Sequence, residues 1–332
     1  MTKHYKFEPS PSDFTWTFGG NKPVLKIDPG SALDLATEDA FCGRMNTPSD
    51  LPSKVLNFPY VNPLTGPFYV NGAEPGDTLA IHFAEIAPSR DIGVSATIPF
   101  VGALTSTGST PSLQQPLEER VWIYDIDQNK RTATFRANDS SFSIELPIRP
   151  FLGTVGVAPL QESKSSRVPD AHGGNMDTLQ TCAGNTLFLG VNVDGALLSV
   201  GDGHFLQGHG ELCGVAIEGA TKTTLVIDLI KKKYCSWPRI VSDEFLMSVG
   251  SSKPLEDAYK IAFSELVKWV SQSFSLSIMD SYQLISQINE AEISNVVDPN
   301  YTVVGKVARR YLPSISEVFC NSHDKLRAMD RS

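Results

Sequence analysis

Residues 66–86 read GPFYVNGAEPGDTLAIHFAEI, and the order of residue types in that stretch decides the fold class. The aromatic and β-branched run Phe68-Tyr69-Val70 leads into Glu74-Pro75-Gly76-Asp77, and the alternating run Thr78-Leu79-Ala80-Ile81-His82-Phe83 leaves it. Strand side chains alternate between two faces and Pro-Gly marks a tight reversal, so the stretch predicts a hairpin pair of strands. His82 alternates with Ile81 and Phe83 and is expected on the polar face of its strand.

The same texture recurs outward in both directions. Residues 14–40 alternate apolar and polar positions between Gly-Asn and Pro-Gly breaks. Further strands are expected at 120–124, 132–135, 142–146, 153–158, 186–193, 196–200, 212–218 and 223–229. Many short strands at roughly ten-residue spacing mean a sandwich rather than alternating strands and helices. The fold expected is mainly β, with a β-sandwich (jelly-roll-like) core over residues 1–250 that carries the active-site loops. Residues 93–115 and 159–169, rich in Ser, Thr, Pro and Gly, are expected to be long loops near the working end. At Pro254 the texture changes: PLEDAYKIAFSELVKWVSQSF places Ala258, Ile261, Ala262, Leu266, Trp269 and Val270 on one side of a helix. A second helix over 278–288 and a strand around AEISNVVDP follow, so residues 251–332 are expected to be a smaller C-terminal α+β portion packed on the core.

A net charge of −9 argues against a binder of phosphate backbones, and Lys231-Lys232-Lys233 is too short a run to reverse it. With 41% hydrophobic and 20% charged residues the chain should fold throughout. Cys42, Cys182, Cys213, Cys235 and Cys320 are odd in number and scattered, which is neither a disulfide framework nor a zinc knuckle. The opening MTKHYKFEPSPSDF lacks a signal-peptide core, and no apolar run approaches the ~18 residues of a membrane span. A cytoplasmic protein with no nucleic-acid and no membrane partner is expected.

Chemistry concentrates between Asp170 and Glu218, in DAHGGNMDT, SVGDGHFLQGHGE and AIEG. Carboxylates, imidazoles and the Asn175 amide on Gly-rich segments can converge on a cation or a water, because glycine permits close backbone approach. Asp202 and His204, two apart, can face one side of an extended segment, the spacing two ligands of one cation need. The plainer alternatives are a turn at Gly-Asp-Gly, a cap at Asp177, a solvated His172 and a strand-end Glu218. Cys182 is either a nucleophile beside a histidine or a small buried core residue. No GxSxG elbow is present, which leaves a metal-assisted water as the simplest hydrolytic chemistry.

Four separated motifs carry a resemblance. NPLTGPFYV at 62–70 with GAEPGDTL at 72–79, HGGNMD at 172–177, VGDGHFLQGHGELCGVAIE at 200–218 and DSYQLISQINEAEISNVVDP at 280–299 are together similar to the acetamidase/formamidase family. The resemblance implies a cytosolic homo-oligomeric hydrolase of short linear amides, formamide or acetamide, yielding ammonia and the carboxylate. It implies a divalent metal, zinc or calcium, with His172, Asp177, Asp202 and Glu218 as metal residues. Glu211 would take the water's proton, His204 would deliver a proton to the leaving nitrogen, and Asn175 would assist. Backbone N–H groups of Gly173, Gly174 and Gly203 would bind the substrate's oxyanion. His209 stands where the family pattern has an acid, and imidazole suits zinc whereas calcium wants oxygen. The alternatives are a metal-free amidase with Cys182 as nucleophile and a non-catalytic, cation-dependent sandwich that binds a small ligand.

Overall fold

A computed structural model describes residues 3–105, 115–313 and 319–330. Two β-sheets face one another. The first runs His4–Phe7, Ser31–Thr37, Thr221–Ile230, Thr78–Pro88, Thr186–Gly190, Arg239–Val241, Phe245–Ser252, Tyr301–Ala308, Asn289–Asn295. The second runs Ser143–Pro147, Thr132–Arg136, Arg120–Asp127, Ile92–Thr97, Ile217–Glu218, Leu198–Leu206, Phe151–Gly156, Gly173–Asn175. Leu64–Val70 also pairs with Leu198–Leu206 and carries Leu25–Ile27 on its other side. The chain is mainly β, as expected.

Alternation along Thr78–Pro88 builds two layers at once. Leu79, Ile81 and Phe83 enter the core between the sheets, where they meet Phe68, Leu152, Val155, Leu198 and Val200 from the facing sheet. Ala80 belongs to a second core, formed with Phe188, Val241, Leu246, Leu266, Trp269 and Leu326. Helices therefore cover the outer face of the first sheet, and both faces of its central strands are dry. This corrects the expectation for His82, which is wholly buried and bonds through Nδ1 to Thr186 Oγ1 at 2.9 Å.

The hairpin expected over 66–86 is also corrected. The turn exists, with Asp77 N–H donating to Glu74 O at 3.1 Å, but Leu64–Val70 lies in the second sheet and Thr78–Pro88 in the first. The connection crosses the sandwich because both strands bury their apolar faces in the same inter-sheet core.

Leu255–Phe274 and Ile278–Ile288 form the two expected helices. Ser277 caps the second, its hydroxyl accepting from Asp280 N–H at 3.0 Å. The first helix lies close on the sheet at Gly250, where a Cβ would meet Ala258 O at 2.3 Å. The Phe245–Ser252 strand runs through the expected boundary at 250, and the strands after it complete the first sheet.

Two further segments differ from expectation. The strand expected over 196–200 runs over Leu198–Leu206 and so includes residues 201–204, and within 212–218 only Ile217–Glu218 is extended pairing. Ile92–Thr97 is a strand inside the loop expected over 93–115, part of which lies outside the described residues. No helix among the described residues is long and apolar enough to cross a membrane.

Candidate active site

The Leu198–Leu206 strand delivers Leu198 and Val200 to the core at one end and Asp202 and His204 to a buried polar cluster at the other. Its register fixes what surrounds them. His204 is opposite Phe151 on one side and Glu218 on the other. Phe151–Gly156 in turn pairs with Gly173–Asn175, placing Thr154 opposite Asn175, two residues before Asp177.

His204 stands at the centre, with Nε2 3.4 Å from Asp202 Oδ2 and 3.3 Å from Glu218 Oε2. Asp177, His204 and Glu211 bring one ligand atom each within 4.8 Å of one another, and so do Asp202, His204 and Glu218. The tautomer of His204 follows from its neighbour. Gln207 Nε2 donates to the carbonyls of Asp177 and Ser294, each at 2.9 Å, so Gln207 Oε1 faces His204 Nδ1 at 2.9 Å as an acceptor. Nδ1 therefore carries a proton and Nε2 is turned to the carboxylates. The Phe151 ring edge supports the imidazole at 4.9 Å between centroids.

Asn175 ties the rest together. Its Nδ2 donates to Asp177 Oδ2 at 3.0 Å and Asp298 Oδ2 at 2.8 Å, and its Oδ1 accepts from Thr154 Oγ1 and from Asn62 Nδ2 at 3.2 Å. Thr154 Oγ1 also contacts Asp202 Oδ2 at 3.2 Å. Asp177, Asp202 and Glu211 all hold left-handed backbone, with φ of 47°, 60° and 49°. Such conformations cost energy in non-glycine residues and persist where surrounding packing enforces them.

Crowding of acids dominates the electrostatics. Burial, then the charges of Glu211, Asp298 and Asp202, hold Asp177 well above the usual carboxylate range. Burial likewise raises Glu211 well above that range, although His204 opposes it. Burial lifts Glu218 to about 7 against the same imidazole, and lifts Asp298 to about 7. Burial works against a charged His204, yet Glu218 and Asp202 outweigh it and hold the ring well above the ordinary histidine value.

These residues fit a divalent cation. Asp177 Oδ1 and Asp202 Oδ1 are buried without a hydrogen-bond partner. Unpaired buried carboxylate oxygens around one imidazole are either protonated or bound to a cation. Room is left by Gly153, where a Cβ would sit 2.7 Å from both Asp177 Oδ1 and Asp202 Oδ2.

A cavity of about 130 Å³ opens on the cluster. Asn62, Asn175, Asp202, His204, Glu211 and Glu218 form its polar floor, with Arg167 and Asp298 beside them. The structure thus brings together Asn175, Asp177, Asp202, His204, Glu211 and Glu218 of the residues singled out from the sequence. His172 stays apart: it is buried against Phe18 at 4.9 Å between centroids and neither ring nitrogen has a hydrogen-bond partner. Burial depresses its pKa to about 4. Gly173, Gly174 and Gly203 are not on the cavity wall. The Gly173 N–H already donates to Asp170 O at 3.0 Å, and a Cβ on Gly174 or Gly203 would meet a carbonyl oxygen at 2.3 or 2.4 Å. These glycines allow close backbone packing. His209 is exposed, and Cys182 lies off the cavity, contacted by Arg149 Nη2 at 3.4 Å and Asn185 Nδ2 at 3.6 Å.

Asn62, Thr154, Gln207 and Asp298 were not singled out as site residues. Asn62, Gln207 and Asp298 lie in motifs that carried the resemblance, which was the available signal. Thr154 and Gln207 owe their place to strand register and a backbone-anchored amide, which spacing alone does not reveal.

Known proteins resemble this chain in sequence and in fold. The profile of the Acetamidase/Formamidase family matches residues 21–168 and 161–308. An acetamidase of Mycolicibacterium smegmatis is 27% identical over 261 residues, covering 62% of this chain and 63% of its own length. A formamidase of Methylophilus methylotrophus is 26% identical over 261 residues, covering 64% and 63%. These matches span less than two thirds of the curated relatives' length. The crystal structure of an acetamidase from Yersinia enterocolitica superposes with a TM-score of 0.89 at 37% identity, covering 94% of both chains.

Proposed function

We propose that this chain, which belongs to the acetamidase/formamidase family, hydrolyses short linear amides such as formamide or acetamide to ammonia and the carboxylate. The observation that carries the reading is the cluster of buried carboxylates around His204 Nε2 at the floor of a cavity of about 130 Å³. A cavity of ~150 Å³ holds benzene, so this one suits a molecule of a few heavy atoms.

In this reading Asp202, His204 and Glu218 hold a divalent cation, with Asp177 on the facing side. The mixed imidazole and carboxylate donors suit zinc better than calcium. When bound, the cation supplies Lewis acidity that polarises the amide carbonyl and makes water acidic near neutral pH. Glu211, raised by its surroundings, accepts the water's proton and passes it to the leaving nitrogen, a poor leaving group until protonated. Gln207 keeps His204 Nδ1 occupied so that Nε2 stays directed at the cation. Asn175 aligns Asp177 and Asp298. Cys182 has no nucleophile's position, since it is off the cavity wall.

We further place the protein in the cytosol as a homo-oligomer. Its described cysteines Cys42, Cys182, Cys213 and Cys235 are free, and Ile278, Met279 and Tyr282 present exposed apolar surface at the start of one helix.

Ammonia release by cation-loaded protein tests the function. Asp202→Asn and Glu211→Gln are expected to lower kcat by about 100-fold or more with unchanged circular dichroism. Losses under about tenfold in both, or no release from any amide, would overturn the reading.

A further inference from the structure

Besides its polar residues, the cavity has an apolar wall to which three separate segments contribute: Phe41, then Ile98 and Val101, then Val215, with Leu56 beside them. Phe41, Ile98 and Val215 are almost fully buried and belong to one hydrophobic cluster with Met45, Val94 and Val121 behind them. The segments are interlocked. Ala103 N–H donates to Leu212 O at 2.8 Å and Val101 N–H to Ile98 O at 3.0 Å. Gly214, at φ 75°, lies so close to Val101 that a Cβ there would be 2.4 Å from Val101 Cγ1. The wall is thus built in advance of any ligand.

An amide that reacts at the floor must place its carbonyl and nitrogen among His204, Glu211, Asp202 and Glu218. Only its acyl substituent is then left to cover the wall. We propose that Phe41, Ile98, Val101 and Val215 form an acyl selector that makes this chain prefer short alkyl amides to formamide. The inference rests on the amidase reading and specifies its substrate class. Formamide carries hydrogen where the wall expects carbon and leaves the apolar surface uncovered. Each added carbon that reaches the wall is worth about a fourfold gain in binding. The cavity's volume of about 130 Å³ suits an acyl group of a few carbons better than a benzoyl group.

The test is kcat/KM of the cation-loaded enzyme on formamide, acetamide, propionamide, butyramide and benzamide. The expected profile rises at least about tenfold from formamide to propionamide and collapses at benzamide. Val215→Ala and Val101→Ala, which widen the wall at two independent points, should each move the optimum toward a longer chain. Turnover of formamide equal to or better than that of propionamide, or a profile unmoved in both variants, overturns the selector while leaving the amidase reading intact. If no amide is hydrolysed, the amidase reading falls, and calorimetric binding of formate, acetate and propionate decides the wall by itself. Affinity rising about fourfold per carbon supports an apolar subsite, and a flat series overturns it.

Discussion

Gly153 shows how little freedom individual residues have at the site. It needs no unusual backbone; what excludes a side chain is the pair of carboxylate oxygens 2.7 Å from where a Cβ would be, with His204 Cε1 at 2.9 Å. None of those groups can retreat, because Asp177 and Asp202 hold left-handed backbone and His204 is bonded to an amide anchored on two carbonyls. Gly153→Ala should therefore lower divalent-cation affinity and amidase activity by about 100-fold while the sheet stays folded, measured by metal titration and circular dichroism. Unchanged affinity would mean that the carboxylates do not converge as described. At this scale the sequence was informative about residue type and less so about partnership. Asp177, Asp202, His204, Glu211 and Glu218 were legible because glycines and acids crowd one stretch. His172 looked equivalent by the same measure, yet it packs on Phe18, since nothing in spacing tells which flank of a short strand a residue takes.

The Thr78–Pro88 strand carries the lesson at the level of elements. Its alternation was legible, and so was its turn, but a polar face on a strand means solvent only if nothing covers the sheet. Here helices do, and His82 joins a buried relay: Thr186 Oγ1 bonds His82 Nδ1 at 2.9 Å and His323 Nδ1 at 2.8 Å. His323 belongs to the Phe319–Asp330 helix, where Asp243, with Arg327 beside it, lies 3.5 Å from its Nε2. Burial, then the neighbouring His323 and Arg327, lowers His82 to about 4, and burial lowers His323. A histidine depressed in the folded state contributes stability that is present above its unfolded value near 6.5 and lost as pH falls through its folded value. The helix should loosen between about pH 6.5 and 4, with a fall of about 5 °C or more in melting temperature. Hydrogen exchange across 319–330 would locate the effect, and exchange that is flat with pH would remove it. The 212–218 segment pairs as a strand only at Ile217–Glu218; before that, Leu212 is exposed and Val215 lines the cavity.

Across the whole molecule two opposite pH responses meet. Glu218 and Asp298 are raised to about 7 by burial, so in the cation-free protein the proton-bound forms stabilise the fold at acid pH and that contribution is lost as pH rises through about 7. The histidine relay acts in the other sense. In chelator-treated protein the two responses therefore oppose each other below about pH 6.5, while from there upward the buried acids alone lower stability, and adding a divalent cation should restore it by several degrees, most at the alkaline end. Melting curves against pH with and without chelator measure both slopes, and identical curves would argue that no cation is held. The sandwich was legible as a whole because its apolar alternation is local. The assignment of strands to sheets was not, since turn residues specify reversal and not which sheet receives the chain.

The last strands have a consequence for how the chain is made. Tyr301–Ala308 pairs with Phe245–Ser252 on one side and Asn289–Asn295 on the other, and the segment between them supplies Asp298 to the cavity. During synthesis the Phe245–Ser252 edge must wait, unpaired, until the chain has emerged past Ala308. An open edge of that kind invites pairing with another nascent chain. The pairing that closes this edge is also the event that brings Asp298 to the cavity, so the exposed edge and the unfinished active site disappear together.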